Sequence, residues 1–101
     1  LELVDILIHP GKQAEFDKAI EHGIQEHLIN AKGFVGYQIN KCLESPERYV
    51  LMNYWASLEN HTIDFRGSPA FLQWRGVVAP CVVRPPVVEH FTILDTKLPQ
   101  K

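Results

Sequence analysis

The side chains of this 101-residue sequence best placed to do chemistry are Asn53, Trp55, His61 and Arg75, with His27 and His90 behind them. Asn53 and Trp55 stand two apart in a strand-like run, so both point to one face. An asparagine on a buried face needs hydrogen-bond partners, and a ligand is one way to supply them. His61 falls near the start of a helical run, and an imidazole changes charge near about pH 6.5 when unperturbed. Arg75 follows Trp74 in a second helical run. Acid–base work and the holding of an anion are within reach of such a set. Each residue also has a plainer use. Trp55 suits a strand core, as Trp74 suits helix packing. Arg75 could extend to water or pair with Glu59 or Asp64, and His61 could be a solvated surface residue. His27 sits on an apolar helix stripe like an inner histidine, and His90 lies on a final strand with its face unassigned.

Other chemistries lack their residues. The sequence contains no GxGxxG, no P-loop and no His, Cys or carboxylate set at metal-ligand spacing. Cys42 and Cys81 form no CxxC, and two unpaired thiols in a reducing cytoplasm are expected. The net charge of −2, with no basic run, argues against nucleic-acid or anionic-membrane partners, because phosphate binding needs clustered Lys and Arg. The apolar stretches, such as Leu1 to Ile8, are too short to span a bilayer, and the first residues show no signal-peptide pattern. A cytoplasmic protein is therefore expected. With 46% hydrophobic and 22% charged residues, disorder is not indicated, and the length suits a single domain over 1–101.

The elements that must position these residues follow from periodicity. Leu1 to His9 reads as a strand broken by Pro10-Gly11. Lys12 to Ile29 carries Phe16, Ala19-Ile20, Gly23-Ile24 and His27-Leu28 at the spacing of an amphipathic helix, with Gly33 just past its end. Phe34 to Leu43 and Tyr49 to Ala56 read as strands joined by the short Ser45-Pro46-Glu47-Arg48 turn, hence an antiparallel hairpin. Ser57 offers an N-cap for Leu58 to Arg66. After Gly67, Ser68-Pro69 restarts helix, with Phe71, Trp74-Arg75 and Val78 along one face until Pro80. Beyond Arg84-Pro85-Pro86, Val87 to Leu94 reads as a fourth strand. The order βαββαβ predicts an α+β, ferredoxin-like fold: a four-stranded antiparallel sheet with helices on one face.

The strands look apolar on both sides. Leu1, Leu3 and Leu7 oppose Val4, Ile6 and Ile8, and Leu51 and Trp55 oppose Val50, Met52 and Tyr54. Two helical segments cannot cover both sides of one sheet. A second copy packed sheet to sheet, as a two-fold homodimer, would cover the bare face.

The run Tyr49-Val-Leu-Met-Asn-Tyr-Trp-Ala-Ser-Leu-Glu-Asn-His-Thr, followed by Phe65-Arg-Gly-Ser-Pro-Ala-Phe-Leu-Gln-Trp-Arg and closing on Val88-Glu-His-Phe, resembles the antibiotic biosynthesis monooxygenase family. The resemblance extends from about Leu3 to Leu94. It implies a dimeric α/β barrel, a fold shared with haem-degrading enzymes and muconolactone isomerases, so fold alone does not name the activity. In family members that oxidise polyketide anthrones and quinols, an Asn and a Trp on the third strand meet a Tyr and an Arg from the helices. Trp55 and Arg75 match two of these. His61 stands at the Tyr position. The Asn position is Leu51, with Asn53 two residues closer and on the same face.

The resemblance implies a cofactor-independent monooxygenase, needing neither flavin nor metal, that acts on an electron-rich phenolic or quinol-type substrate with dioxygen. Triplet dioxygen reacts slowly with closed-shell molecules, and without a cofactor the substrate anion must supply the electron itself. The protein then removes a proton, holds the anion and excludes water. His61 would take the proton, Arg75 and Asn53 would stabilise the oxyanion, and Trp55 would wall a planar ring. A non-catalytic ligand-binding or stress-response dimer is the alternative. Haem degradation fits less well, because the positions that resemblance gives for the axial His and its Asn partner are Arg75 and Val4. Protein purified without added cofactor is expected to be colourless, and dialysis against a chelator is expected to leave oxygen-consuming activity intact. An absorbance spectrum and a metal analysis check both.

Overall fold

The computed structural model describes residues 1–98. Its elements are β1 (Glu2–Leu7), α1 (Gln13–Gly23), β2 (Phe34–Lys41), β3 (Arg48–Trp55), α2 (Pro69–Val78) and β4 (Val87–His90). Wide π-helical segments at Ile24–Leu28 and Asn60–Phe65 extend α1 and precede α2. The strands form one antiparallel sheet in the order β2-β3-β1-β4, which is the βαββαβ arrangement the periodicity predicts.

Apolar residues at helical spacing draw α1 onto the sheet. Phe16, Ile20, Gly23, Ile24 and Leu28 are all buried, against Val4, Ile6, Ile8, Tyr49 and Leu51 from the inward faces of β1 and β3. Phe16 meets Tyr49 edge to face at 4.7 Å between centroids. The Tyr49 hydroxyl donates to Asp17 Oδ1 at 2.6 Å, and Lys41 Nζ reaches Asp17 Oδ2 at 2.8 Å, so one carboxylate ties α1 to both strands of the β2–β3 hairpin. Burial and the neighbouring carboxylate push the Tyr49 hydroxyl well above its ordinary range.

Register aligns one row across the inward face. Glu2 pairs with His90 on one side and Asn53 on the other, and Asn53 pairs with Tyr37. The opposite face carries Leu3, Leu7, Val50, Met52 and Tyr54, as alternation predicts. It also carries an ion pair that the alternation argument overlooks: Arg48 donates to both Asp5 oxygens, at 3.2 and 2.8 Å.

Two expectations need correction. The fourth strand ends at His90 rather than Leu94. The last ladder pair with β1 is Glu2 with His90, beyond which Phe91 still donates its N–H to the Leu1 carbonyl. The helix expected over Leu58 to Arg66 widens into π geometry from Asn60, although Ser57 Oγ accepts the Asn60 N–H at 3.2 Å as its cap role requires. Of the plainer uses open to Arg75, pairing with Glu59 or Asp64 is not the one adopted among the described residues: Asp64 accepts from Asn60 and lies 3.8 Å from Lys32.

Both cysteines are free thiols. Cys81 is buried and donates to Glu15 Oε2 at 3.0 Å; burial and this carboxylate push its thiol up to about 11. Among the described residues no helix is long and apolar enough to cross a membrane.

Helix α2 is seated by Gly23, which is buried in α1 without a side chain. A Cβ there would meet the Trp74 ring at 2.9 Å and Val77 Cγ1 at 3.2 Å. Gly23→Val is expected to push α2 off α1 and to lower stability by about 1–3 kcal/mol in urea denaturation.

Candidate active site

A single buried carboxylate organises the site. Glu2 is an inward residue of β1 in line with Val4 and Ile6, and it is 5% exposed. An isolated carboxylate in such a place would be costly, and it persists only where donors surround it. Glu2 Oε1 accepts from Trp55 Nε1 at 2.9 Å and from Asn53 Nδ2 at 3.2 Å. Its other oxygen, Oε2, lies 3.3 Å from His61 Nε2. His61 Nδ1 in turn sits 2.7 Å from His90 Nε2. With Glu2 ionised, the proton of neutral His61 belongs on Nε2, facing the carboxylate; Nδ1 then accepts from His90.

Strand pairing supplies Glu2, Asn53, Trp55 and His90. The π-helical segment supplies His61, setting it and Phe65 inward on one face. Such wide turns in helices often accompany functional sites. The imidazole stacks between Trp55, at 5.3 Å and 28°, and Phe65, at 6.2 Å and 27°. His61 is 3% exposed. Burial pushes its pKa below the ordinary value; the attraction of Glu2 opposes this, while Arg66 and His90 add to it. Desolvation wins because both sides of the ring are covered by aromatics.

One floor of this cluster opens on a cleft of about 620 Å³. Glu2, Asn53 and His61 form its polar floor, Phe65, Phe71, Trp74 and Val78 are among its apolar walls, and Arg66, Arg75 and Arg84 bring positive charge. The Arg75 guanidinium lies 5.8 Å from the Phe71 ring centroid, which holds it over the wall while leaving the residue exposed. Asn53 Oδ1 is buried and has no hydrogen-bond partner among the described residues. Its amide nitrogen is committed to Glu2, so this oxygen is a vacant acceptor for an O–H or N–H group. A smaller cavity of about 420 Å³ lies behind the cluster, lined by Trp55, His61, His90 and Phe91 among others.

Of the residues expected from sequence, Asn53, His61 and Arg75 line the cleft. Trp55 belongs to the same cluster but faces the smaller cavity, backing His61 instead of walling the cleft. His27 is half-buried on the first π-helical segment, whose Leu28 lines the cleft in its place. Glu2 is the residue that sequence reasoning passed over. Its signal was a carboxylate in phase with Val4, Ile6 and Ile8. Arg66 and Arg84 lie in connecting segments, where periodicity carries no signal. Among the described residues, no three His, Cys, Asp or Glu side chains are grouped so as to hold a metal ion.

A family model described as antibiotic biosynthesis monooxygenase matches residues 2–77. The chain is 32% identical over 84 residues to the uncharacterized protein YczJ of Bacillus subtilis (strain 168), covering 83% of this chain and 87% of that protein. A solved structure from Bordetella bronchiseptica, provisionally named as an antibiotic biosynthesis monooxygenase, superposes with a TM-score of 0.86 at 33% identity, over 92% of this chain and 94% of that one. A monooxygenase from the ActVA-Orf6 gene of Streptomyces coelicolor, solved with nanaomycin D, gives a TM-score of 0.81 at 20% identity, over 98% and 90%. The second is a likeness of fold. Arg84 and His90 lie beyond the segment that the family model matches.

The low pKa of His61 ties stability to pH. Its folded value lies below the unfolded one, so its contribution is complete above about pH 6.5 and is lost as pH falls from there through the folded value. Asp5 is held low chiefly by Arg48. At Asp17 the upward push of burial is outweighed by hydrogen bonds from Lys41 and Tyr49. Those two carboxylates lose their contribution only below about pH 4. Urea denaturation is expected to show stability falling as pH drops below about 6.5, with a shallower fall in His61→Asn.

Proposed function

The chain belongs to the antibiotic biosynthesis monooxygenase family, and on that premise we propose that it is a monooxygenase that oxidises an electron-rich phenolic or quinol-type substrate with dioxygen and without a bound cofactor. The observation that carries this reading is the vacant Asn53 acceptor beside a buried carboxylate at the floor of an apolar cleft. A second polar hydrogen on the substrate donates to Asn53 Oδ1, which orients the hydroxyl that gives its own proton to Glu2. The ring lies between Phe71 and Trp74, and arginines offset the negative charge that develops. The apolar walls exclude water and strengthen these interactions.

We assign the role of first proton acceptor to Glu2 instead of His61, a reading that the contacts of the imidazole support. His61 presents Nε2 to the carboxylate and Nδ1 to His90, so neither nitrogen is turned to a ligand. Glu2 lines the cleft, and its three neighbours leave one acceptor position on Oε2 open to a ligand. His61 acts behind it. Arg75, exposed and held over Phe71, is the cation for the substrate oxyanion.

A sheet-to-sheet homodimer completes the proposal. Leu3, Leu7, Val50, Met52 and Tyr54 form an apolar face that the chain's own helices do not cover, and dimer formation fits the family. The two free thiols suit a reducing cytoplasm.

Oxygen uptake with a panel of phenols and quinols tests the activity. Glu2→Gln and His61→Ala are each expected to lower turnover by about 10²- to 10⁴-fold, and Arg75→Ala to weaken binding of an anionic substrate. Ligand binding without oxygen uptake above the spontaneous rate would favour the non-catalytic dimer instead. Sedimentation tests assembly: wild type is expected to be a dimer at micromolar concentration. Met52→Glu, which would bury an unpaired carboxylate at a cost of about 3–5 kcal/mol, is expected to yield monomer or aggregate.

A further inference from the structure

Three of the four arginines of this chain, Arg66, Arg75 and Arg84, line one cleft, and among the described residues none of the three forms an ion pair with a carboxylate. The fourth, Arg48, lies on the opposite face of the sheet, where Asp5 takes it. The one acid of the cleft, Glu2, is buried at the floor and held by Asn53, Trp55 and His61. A chain with a net charge of −2 thus gathers positive charge at a single place. A substrate oxyanion accounts for Arg75 alone.

The arginines are not equivalent in position. Arg66 lies at the Glu2 end, near enough to His61 to disfavour its charged form. Arg84 lies at the other end. The Val83 N–H donates to the Leu7 carbonyl at 2.8 Å and Val82 bridges Ile8, which ties the connection before β4 to the far end of β1. Arg84 there acts on Asp5 as well as lining the cleft, but Arg48 already donates to both Asp5 oxygens. From Glu2 to Asp5 the strand rises three residues, about 10 Å. Val4 and its partner Val88 form an apolar floor between the two ends. We propose that the cleft is a two-ended site for a phenol or quinol that also carries a carboxylate, with the reacting hydroxyl at Glu2 and the carboxylate received by Arg84 as the specificity-determining residue. The hydroxyl end rests on the monooxygenase reading; the carboxylate end does not.

A carboxylate suits this arginine better than a phosphate does. One guanidinium fork satisfies both oxygens of a carboxylate. A phosphate needs further donors, and Arg84 is followed by Pro85 and Pro86, which have no N–H to give. The same two prolines hold the backbone beside Arg84 in few conformations, which lowers the entropy lost when a ligand docks. Arg84 lies outside residues 2–77, the segment that the family model matches, so this specificity is no part of that match.

Calorimetric titration of the full chain tests the proposal with 6-hydroxy-2-naphthoate and its methyl ester. The two share a ring system and a hydroxyl, and differ in the charge at the end remote from it. The wild type is expected to bind the acid about 3- to 10-fold more tightly than the ester, as suits an arginine–carboxylate contact at an open rim. Arg84→Gln is expected to bring that ratio close to one, and Arg84→Lys to keep part of it, with each variant shown to be folded by thermal melt. Equal affinity of the wild type for acid and ester would overturn the proposal. So would a preference that survives in Arg84→Gln, or binding of neither compound at millimolar concentration. Oxygen uptake is a separate readout. No uptake by the wild type with any phenol or quinol, carboxylated or not, would refute the monooxygenase reading, and the ratio of acid to ester binding would still decide the role of Arg84.

Discussion

A carboxylate with almost no access to water is the constraint around which this molecule is arranged. Glu2 occupies an inward strand position that would otherwise take an aliphatic residue, and it needs donors from several directions at once. They come from β3 through Asn53 and Trp55 and from the widened helical segment through His61. Strand register, helix geometry and aromatic stacking thus converge on one anion. Replacing it with an apolar residue would strand buried donors on all of these elements. The cluster is therefore as much a device for specifying the fold as for doing chemistry.

The second organising contact is its counterpart at the other end of the sheet. Asp17 receives Tyr49 and Lys41 and fixes the start of α1 over the hairpin. Between these anchors the core is aliphatic and aromatic, and Gly23 lets α2 lie close against α1 through Trp74. The cleft is the space left where α2 and the Val82–Pro86 connection pass over the inward face near Glu2.

Much of this was legible in the amino-acid sequence, because alternation and helical spacing are local signals. Phe16, Ile20, Ile24 and Leu28 announce the buried face of α1, and Asn53 with Trp55 announce a shared strand face. The turn at Ser45–Arg48 announces the hairpin. The site was legible only in part. Burial of His61 depends on a helix widening to π geometry, for which no residue in Asn60–Phe65 is a marker. The meeting of Glu2 with His90 depends on pairing between the two ends of the chain, a register no local pattern encodes. Where β4 stops was hidden for the same reason. Apolar residues continue through Phe91, Ile93 and Leu94, but the ladder with β1 ends at the pair of Glu2 with His90.

The brevity of β4 bears on how the molecule breathes. Its four residues hold the sheet's outer edge, while the polar cluster it helps to close reaches into the best-protected part of the structure. Local opening of an edge strand costs far less than global unfolding. When β4 frays, His90 leaves and the remaining cluster meets solvent from the rear, while the hairpin and α1 stay folded. The back door of the site is thus hung on the least securely fastened strand. Its exchange with water is governed by the stability of a single short edge, not by that of the core.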